Sequence, residues 1–190
     1  TAYALNVGRH AVRHSSDRQT MVEYDRHYRT PNLFGKPYKE LADFFKSYPK
    51  RGLVLDLGCG QGRDSIALAK LGYKVTAVDN SVVGIEQMLN ESKKKGLKIK
   101  GITGDIYDFI PSSKTDIILL DSMIHFGKKE IKKEKLLLKR TIAILKRGGL
   151  ICLCIRDSGK RVRIIKSFMF ETYGNWDTLN DSLLTYTYVD

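Results

Sequence analysis

One turn of the chain carries the first sign of chemistry. Asp56-Leu57-Gly58-Cys59-Gly60-Gln61-Gly62 sets glycines at alternate positions directly after a short apolar run. Glycine lets a backbone turn sharply and approach a ligand closely. A helix starting just beyond aims free N–H groups and a positive dipole end at that ligand. About 20 residues past the loop stands Asp79, at a spacing where a carboxylate can accept both ribose hydroxyls of an adenosine. Asn80 follows it at the same edge. Further on, Gly104-Asp105-Ile106 offers a carboxylate for an exocyclic adenine amine and a backbone amide, that of Ile106, for a ring nitrogen. Asp56 can hold a cationic amino group. Each acid alone is also an ordinary turn former that bonds its own backbone. Three of them at the ends of three successive strands, around a glycine loop, point to a ligand site.

The same loop excludes two nucleotide chemistries. A dinucleotide fingerprint needs glycine at position 63, and the chain has Arg63, which removes the close helix–strand contact such a fold uses. No lysine followed by Ser or Thr completes a phosphate-gripping loop, which disfavours nucleoside triphosphate hydrolysis. Metal chemistry is poorly provided for: Cys152 and Cys154 alternate within an apolar run, which places them on one face of a buried strand without further ligands.

The elements that must position these residues are legible from periodicity. Apolar residues at helical spacing predict a helix from about Lys36 to Tyr48, with Pro37 in its first turn. Leu53–Leu57 predicts a buried strand, Asp64–Leu71 a helix capped by Gly72, and Lys74–Val78 a second strand closed by Asp79. Asn80 or Ser81 can cap the next helix, which ends at Gly96. Leu97–Ile102 and Asp116–Leu120 predict strands three and four. Lys129–Lys146 predicts a long helix closing on Gly148-Gly149, before a fifth strand at Leu150–Ile155. Val162–Phe170 reads as a helix and the Thr- and Tyr-rich Leu183–Val189 as a strand. Strands alternating with helices give a doubly wound, mostly parallel α/β sheet, which binds ligands just beyond the carboxyl ends of its strands. Residues 1–20 are polar and basic and are expected to be a leader or disordered arm, 21–50 a helical cap segment, and 51–190 the core.

Three cysteines without a disulfide framework point to a reducing cytoplasm. No apolar run reaches the roughly 20 residues a membrane helix needs. The net charge of +12 and pI near 9.6 favour an anionic partner such as a nucleic acid. However, Lys93–Lys95 and the 128–147 stretch fall on expected helices, where a solvated lysine-rich face is the plainer explanation.

Val54-Leu55-Asp56-Leu57-Gly58-Cys59-Gly60-Gln61-Gly62 resembles motif I of class I S-adenosylmethionine-dependent methyltransferases. Asp79 resembles their ribose-binding acid, Gly104-Asp105-Ile106 their adenine-side motif, and Asp121-Ser122-Met123-Ile124-His125-Phe126 their fourth motif. Arg147-Gly148-Gly149-Leu150 resembles the glycine turn before their fifth strand. The likeness covers about Tyr24 to Asp157. Gly60-Gln61-Gly62-Arg63-Asp64-Ser65, with Leu68-Ala69 and Gly72-Tyr73, is similar to the TehB-type and small-molecule branch.

The resemblance implies a Rossmann-like fold, S-adenosylmethionine as cofactor and a small-molecule methyl acceptor for a monomer or homodimer. It also implies contacts from Tyr24 and Tyr28 near the cofactor's methionine end; packing of an entry helix explains these tyrosines equally well. Asp25, Arg26 and His27 are expected to be solvated. His125 is the candidate general base, because histidine titrates near neutral pH, and Asp121 is expected to line the transfer site. A structural role for His125 stays open. Base N-methylation is disfavoured, since Asp121-Ser122-Met123-Ile124 replaces the Asn/Asp-Pro-Pro-Tyr motif of such enzymes. An RNA or protein methyltransferase and an inactive cofactor-binding protein are the alternatives. Similar proteins close on an antiparallel strand pair, of which only Leu183–Val189 is evident here, so either the pair is incomplete or the sheet ends differently.

Overall fold

The computed structural model describes residues 24–111, 114–155, 159–173, 176–180 and 185–188. The expected leader at 1–20 lies outside them. The chain divides into two compact units, with the boundary between Phe109 and Ile110.

The first unit opens with helical residues 24–27 (α1) and the helix α2, Lys39–Ser47. The latter starts three residues later than periodicity suggests. Pro37 therefore stands outside the helix, before the cap residue Tyr38. Buried Leu41 and Phe45 face the interior of the unit, where the Phe45 ring meets Tyr73 edge-on at 5.6 Å. Tyr73 donates its hydroxyl hydrogen to the Phe45 carbonyl.

Three parallel strands follow: β1 (Leu53–Leu57), β2 (Lys74–Asp79) and β3 (Ile99–Thr103), in the order β3-β2-β1. Their register pairs Leu57 with Val78 and Asp79 with Thr103, so the strands end at one shared edge. The crossover helices are α3 (Arg63–Lys70) and α4 (Val82–Lys94). Two successive right-handed crossovers in the same direction must share a face of the sheet, and α3 and α4 do contact each other. Ser81 caps α4 by accepting the Gly84 N–H, one of the two capping options the sequence offers.

The second unit contains β4 (Thr115–Asp121), α5 (Ile131–Ala143), β5 (Leu145–Cys154), α6 (Gly159–Tyr173), β6 (Trp176–Asn180) and β7 (Thr185–Tyr188). β4 and β5 are parallel, and β7 pairs antiparallel with both β5 and β6. Two expectations are corrected. The helix ends at Ala143 rather than Lys146, because the sheet takes over the chain there: Thr115 N–H donates to the Ile144 carbonyl and Thr115 pairs with Leu145. Gly148-Gly149 thus sits inside β5, in a bulge between the Thr115–Leu145 and Ile117–Leu150 pairs, instead of preceding the strand. A Cβ on Gly149 would lie 2.6 Å from the Lys146 carbonyl oxygen, so the bulge requires glycine. Of the terminal antiparallel pair, for which alternatives were left open, both members are present, β6 pairing with β7. The member not evident in sequence, Trp-Asp-Thr-Leu-Asn at 176–180, has no apolar run to betray a strand.

Candidate functional site

In the first unit the glycine loop, Asp79 and the 104–106 turn are knitted together by backbone bonds. Gly58 and Cys59 both donate to the Val78 carbonyl, and Gly104 donates to that of Asp79. Gly58, Gly60 and Gly62 all have positive φ, which explains glycine at each alternate position. At two of the three, the space so freed is taken by the chain itself. A Cβ on Gly60 would lie 2.7 Å from the Tyr28 hydroxyl, and one on Gly62 2.7 Å from the Met88 sulfur.

Asp79 is 7% exposed. Its Oδ2 accepts the Gly60 N–H at 2.7 Å and its Oδ1 the Ser81 N–H at 2.8 Å. One carboxylate therefore fixes both the glycine loop and the start of α4. Burial raises its pKa against the pull of these bonds and of the Asn80 amide. A carboxylate has about four lone-pair sites, so with three amides on it Asp79 retains about one for a hydroxyl group. Asp56, 2% exposed, accepts the Ser65 hydroxyl at 2.5 Å. Burial, with Asp64 adding to it, pushes the Asp56 carboxyl up to about 7. Asp105 accepts the Tyr107 N–H at 2.8 Å, a local turn bond, and Ile106 is buried beside it. Burial pushes the Cys59 thiol well up, with Asp56 and Asp79 adding to the effect, so it stays protonated.

Tyr28, just after α1, lies against this loop. Tyr28 is buried between Gly60 and Gly84, with the Tyr24 ring centroid 5.9 Å from its own. Asp25, expected in solvent, instead accepts from the Ser81 hydroxyl and the Val83 N–H at the start of α4. Arg26 and His27 are exposed. Arg63 turns away from the loop, pairing with Asp64 at 2.8 Å and lying over the Tyr38 ring.

The second unit carries Asp121 and His125. Asp121 ends β4 and accepts the Ser122 hydroxyl at 2.9 Å, while Ser122 N–H donates to the Cys154 carbonyl. Ser122 and Phe126 both adopt positive φ, uncommon for side chains of their kinds. A residue the sequence did not single out holds this turn. Glu134 of α5, 1% exposed, accepts the backbone N–H groups of His125 and Phe126. Burial raises its pKa, opposed by those two bonds. In sequence Glu134 looks like one charge among many on a lysine-rich helix. Gln61 and Gln87 were missed for a similar reason, since their partners are 26 or more residues away in the chain. Among the described residues no group of three or more His, Cys, Asp or Glu is placed to hold a metal, and no helix is long and apolar enough to cross a membrane.

With this geometry in hand, the family pattern described as a methyltransferase domain matches residues 50–175. The chain belongs to this methyltransferase domain family. Its glycine loop and acids all fall inside the matched span. A cypemycin N-terminal methyltransferase from a Streptomyces species is 37% identical over 105 residues, 55% of this chain and 42% of that protein. A Haemophilus influenzae protein described as "Probable S-adenosyl-L-methionine-dependent methyltransferase TehB" is 48% identical over 69 residues, 32% of this chain and 24% of its own length. The chain thus spans less than half the length of either relative. The crystal structure of TehB from Haemophilus influenzae superposes with a TM-score of 0.60 at 22% identity, covering 84% of this chain and 56% of that one. That likeness shows the fold, a Rossmann-like α/β arrangement.

Proposed function

We propose that the protein transfers a methyl group from S-adenosylmethionine to a small-molecule acceptor. The observation that carries this is the Asp79 carboxylate, bonded to Gly60 N–H within the glycine loop. It stands at an edge where Asp56, in the last residues of β1, and Asp105, just after β3, end the two neighbouring parallel strands. The donor set fits the cofactor. Asp79 has about one acceptor site left for a ribose hydroxyl, Asp105 is at the adenine-side turn with Ile106, and Asp56 is a buried acid that a cationic amino group would re-ionise. Gly58, Cys59, Gly60 and Gly62 supply the close backbone, Asn80 the flank, and Tyr24 and Tyr28 the cover.

When bound, the cofactor supplies a methyl group on a sulfonium, already a good leaving arrangement. The protein's own task is then to bind, orient and exclude water, for which pre-positioning is worth several orders of magnitude. For the acceptor, Asp121 and His125 of the second unit are the candidates, with His125 to take a proton when the acceptor must lose one.

The distribution of charge supports a small acceptor over a phosphate polymer. Lys70, Lys93 and Lys94 occupy the last turns of α3 and α4, and Lys74 and Lys98 lie at or before the starts of β2 and β3. These cations gather at the amino edge of the strands, while the acids stand at the carboxyl edge. Three free thiols support a reducing cytoplasm as its location, acting there as monomer or homodimer. The test is formation of S-adenosylhomocysteine from S-adenosylmethionine with a panel of small amines, thiols and phenols, and separately with total RNA. Turnover on small acceptors is expected. Turnover on RNA alone would overturn the acceptor class, and none on any acceptor would overturn the activity.

A further inference from the structure

Gln61 does more than fill a place in the glycine loop. Its Oε1 accepts the backbone N–H of Leu33 at 2.9 Å. Its Nε2 donates to the carbonyls of Tyr28 at 3.2 Å and Thr30 at 2.8 Å, and to Oε1 of Gln87 at 2.7 Å. Gln87, on α4, returns its own Nε2 to the same Tyr28 carbonyl at 2.7 Å. A primary amide offers two hydrogens and one acceptor oxygen. Gln61 is therefore saturated, with its hydrogens shared among three acceptors. Turning the amide over would set its oxygen against two carbonyls and its nitrogen against an N–H, so only one orientation satisfies the network.

What the pair holds in place is Tyr28. Its ring occupies a niche made by two missing side chains. The hydroxyl lies 2.7 Å from where a Cβ on Gly60 would stand, and Cδ2 lies 3.1 Å from where one on Gly84 would stand. Tyr28 is 4% exposed, and its hydroxyl is aimed at the loop that Asp79 also grips. A polar ligand at that loop would lie within its reach. At the other end of the turn, Asp25 ties the same segment to Ser81 and Val83.

We propose that Gln61 and Gln87 are positioning residues that latch the segment 24–35 over the glycine loop, so that the Tyr28 hydroxyl meets the bound cofactor and the cofactor departs only when the latch opens. The inference rests on the loop being the S-adenosylmethionine site. It joins the loop that binds and the segment that covers through a single side chain, so occupancy of one and closure of the other are linked.

The test uses the full chain and S-adenosylhomocysteine as the probe. Its release is followed by stopped flow in the wild type and in the double variant Gln61→Ala/Gln87→Met, the second change preserving volume without the amide. Arg26 and Arg29, both exposed, report closure by tryptic cleavage. The latch predicts release about tenfold faster or more with an association rate nearly unchanged, because lost contacts register mainly in dissociation. It also predicts that the ligand protects Arg26 and Arg29 in the wild type but not in the variant, with the thermal midpoint little altered. Unchanged release with protection retained would overturn the latch alone. Faster release matched by an equal fall in global stability would reduce the two glutamines to structural residues, and so would overturn it too. A wild type that binds no S-adenosylhomocysteine would overturn the cofactor site and the latch with it.

Discussion

Glu134 Oε2 accepts the backbone N–H of Phe126 at 2.6 Å, and Phe126 is held at a φ of +48°. Such a conformation costs a bulky residue about 1–3 kcal/mol and persists only where the surroundings enforce it. Here the enforcing group is a buried carboxylate one helix away, whose other oxygen takes the His125 N–H at 2.8 Å. Replacing it by Glu134→Gln turns an NH₂ toward one of the two N–H donors. The variant should lose about 1.5–3 kcal/mol of unfolding free energy, the scale of a hydrogen bond to a charged group. Denaturant unfolding measures this; a loss below about 0.5 kcal/mol, ordinary for a surface change, would mean that the turn holds itself.

Asp56 makes stability depend on pH in a direction opposite to an ion-paired acid. Its carboxyl is raised from 3.8 to about 7 in the folded state, chiefly by burial. Well below pH 3.8 it is neutral in both states and its full contribution is present. As pH rises toward 7 the unfolded chain ionises first, and stability falls by something on the order of 4 kcal/mol at most. Asp56→Asn keeps an acceptor for Ser65 and removes the titration. The variant should unfold at higher urea than the wild type at pH 8, with the gap closing by pH 4. Parallel behaviour of the two proteins across that range would show that Asp56 does not titrate there.

Gly62 and Met88 share one volume. With φ at +79° and a Cβ position 2.7 Å from the Met88 sulfur, Gly62→Ala combines backbone strain with overpacking. A destabilisation of about 2–4 kcal/mol is expected from the two together. Met88→Ala placed on top should recover part of it, because it removes the two nearest overlapping atoms, Cγ and the sulfur, and leaves the strain and a residual 2.8 Å contact with the Met88 Cβ. Strict additivity of the two changes would mean that they do not meet.

His125 presents a partly exposed side chain on a backbone that Glu134 fixes. If its imidazole takes the acceptor's proton, His125→Ala should lower kcat by about 10²–10⁴, the usual contribution of a general base, with cofactor affinity retained. Retained kcat would leave it a structural residue.

Much of this was legible in the sequence, and the physical reason is local. Leu53–Leu57 stands out as a strand because an apolar run meets a glycine turn, and the ends of β2 and α4 follow from Asp79, Ser81 and Gly96 in the same way. Legibility fails where distant parts of the chain decide. Gly148-Gly149 reads as a turn, and only pairing of Leu145 with Thr115 makes it a bulge within a strand. Trp176–Asn180 is polar in sequence and becomes a strand by pairing with β7. Asp25, Gln61 and Gln87 are ordinary polar residues until the fold brings each to backbone groups far away in the chain, and Glu134 until its helix packs back on the turn eight residues before it.

The most direct test of the central claim is calorimetric titration of S-adenosylmethionine into the wild type and into Asp79→Ala. A single micromolar site is expected in the wild type, weakened by about 1–3 kcal/mol in the variant, the scale of lost hydrogen bonds to a charged group. A wild type that takes up no S-adenosylmethionine, or an Asp79→Ala protein that binds it as tightly, would contradict the site as described.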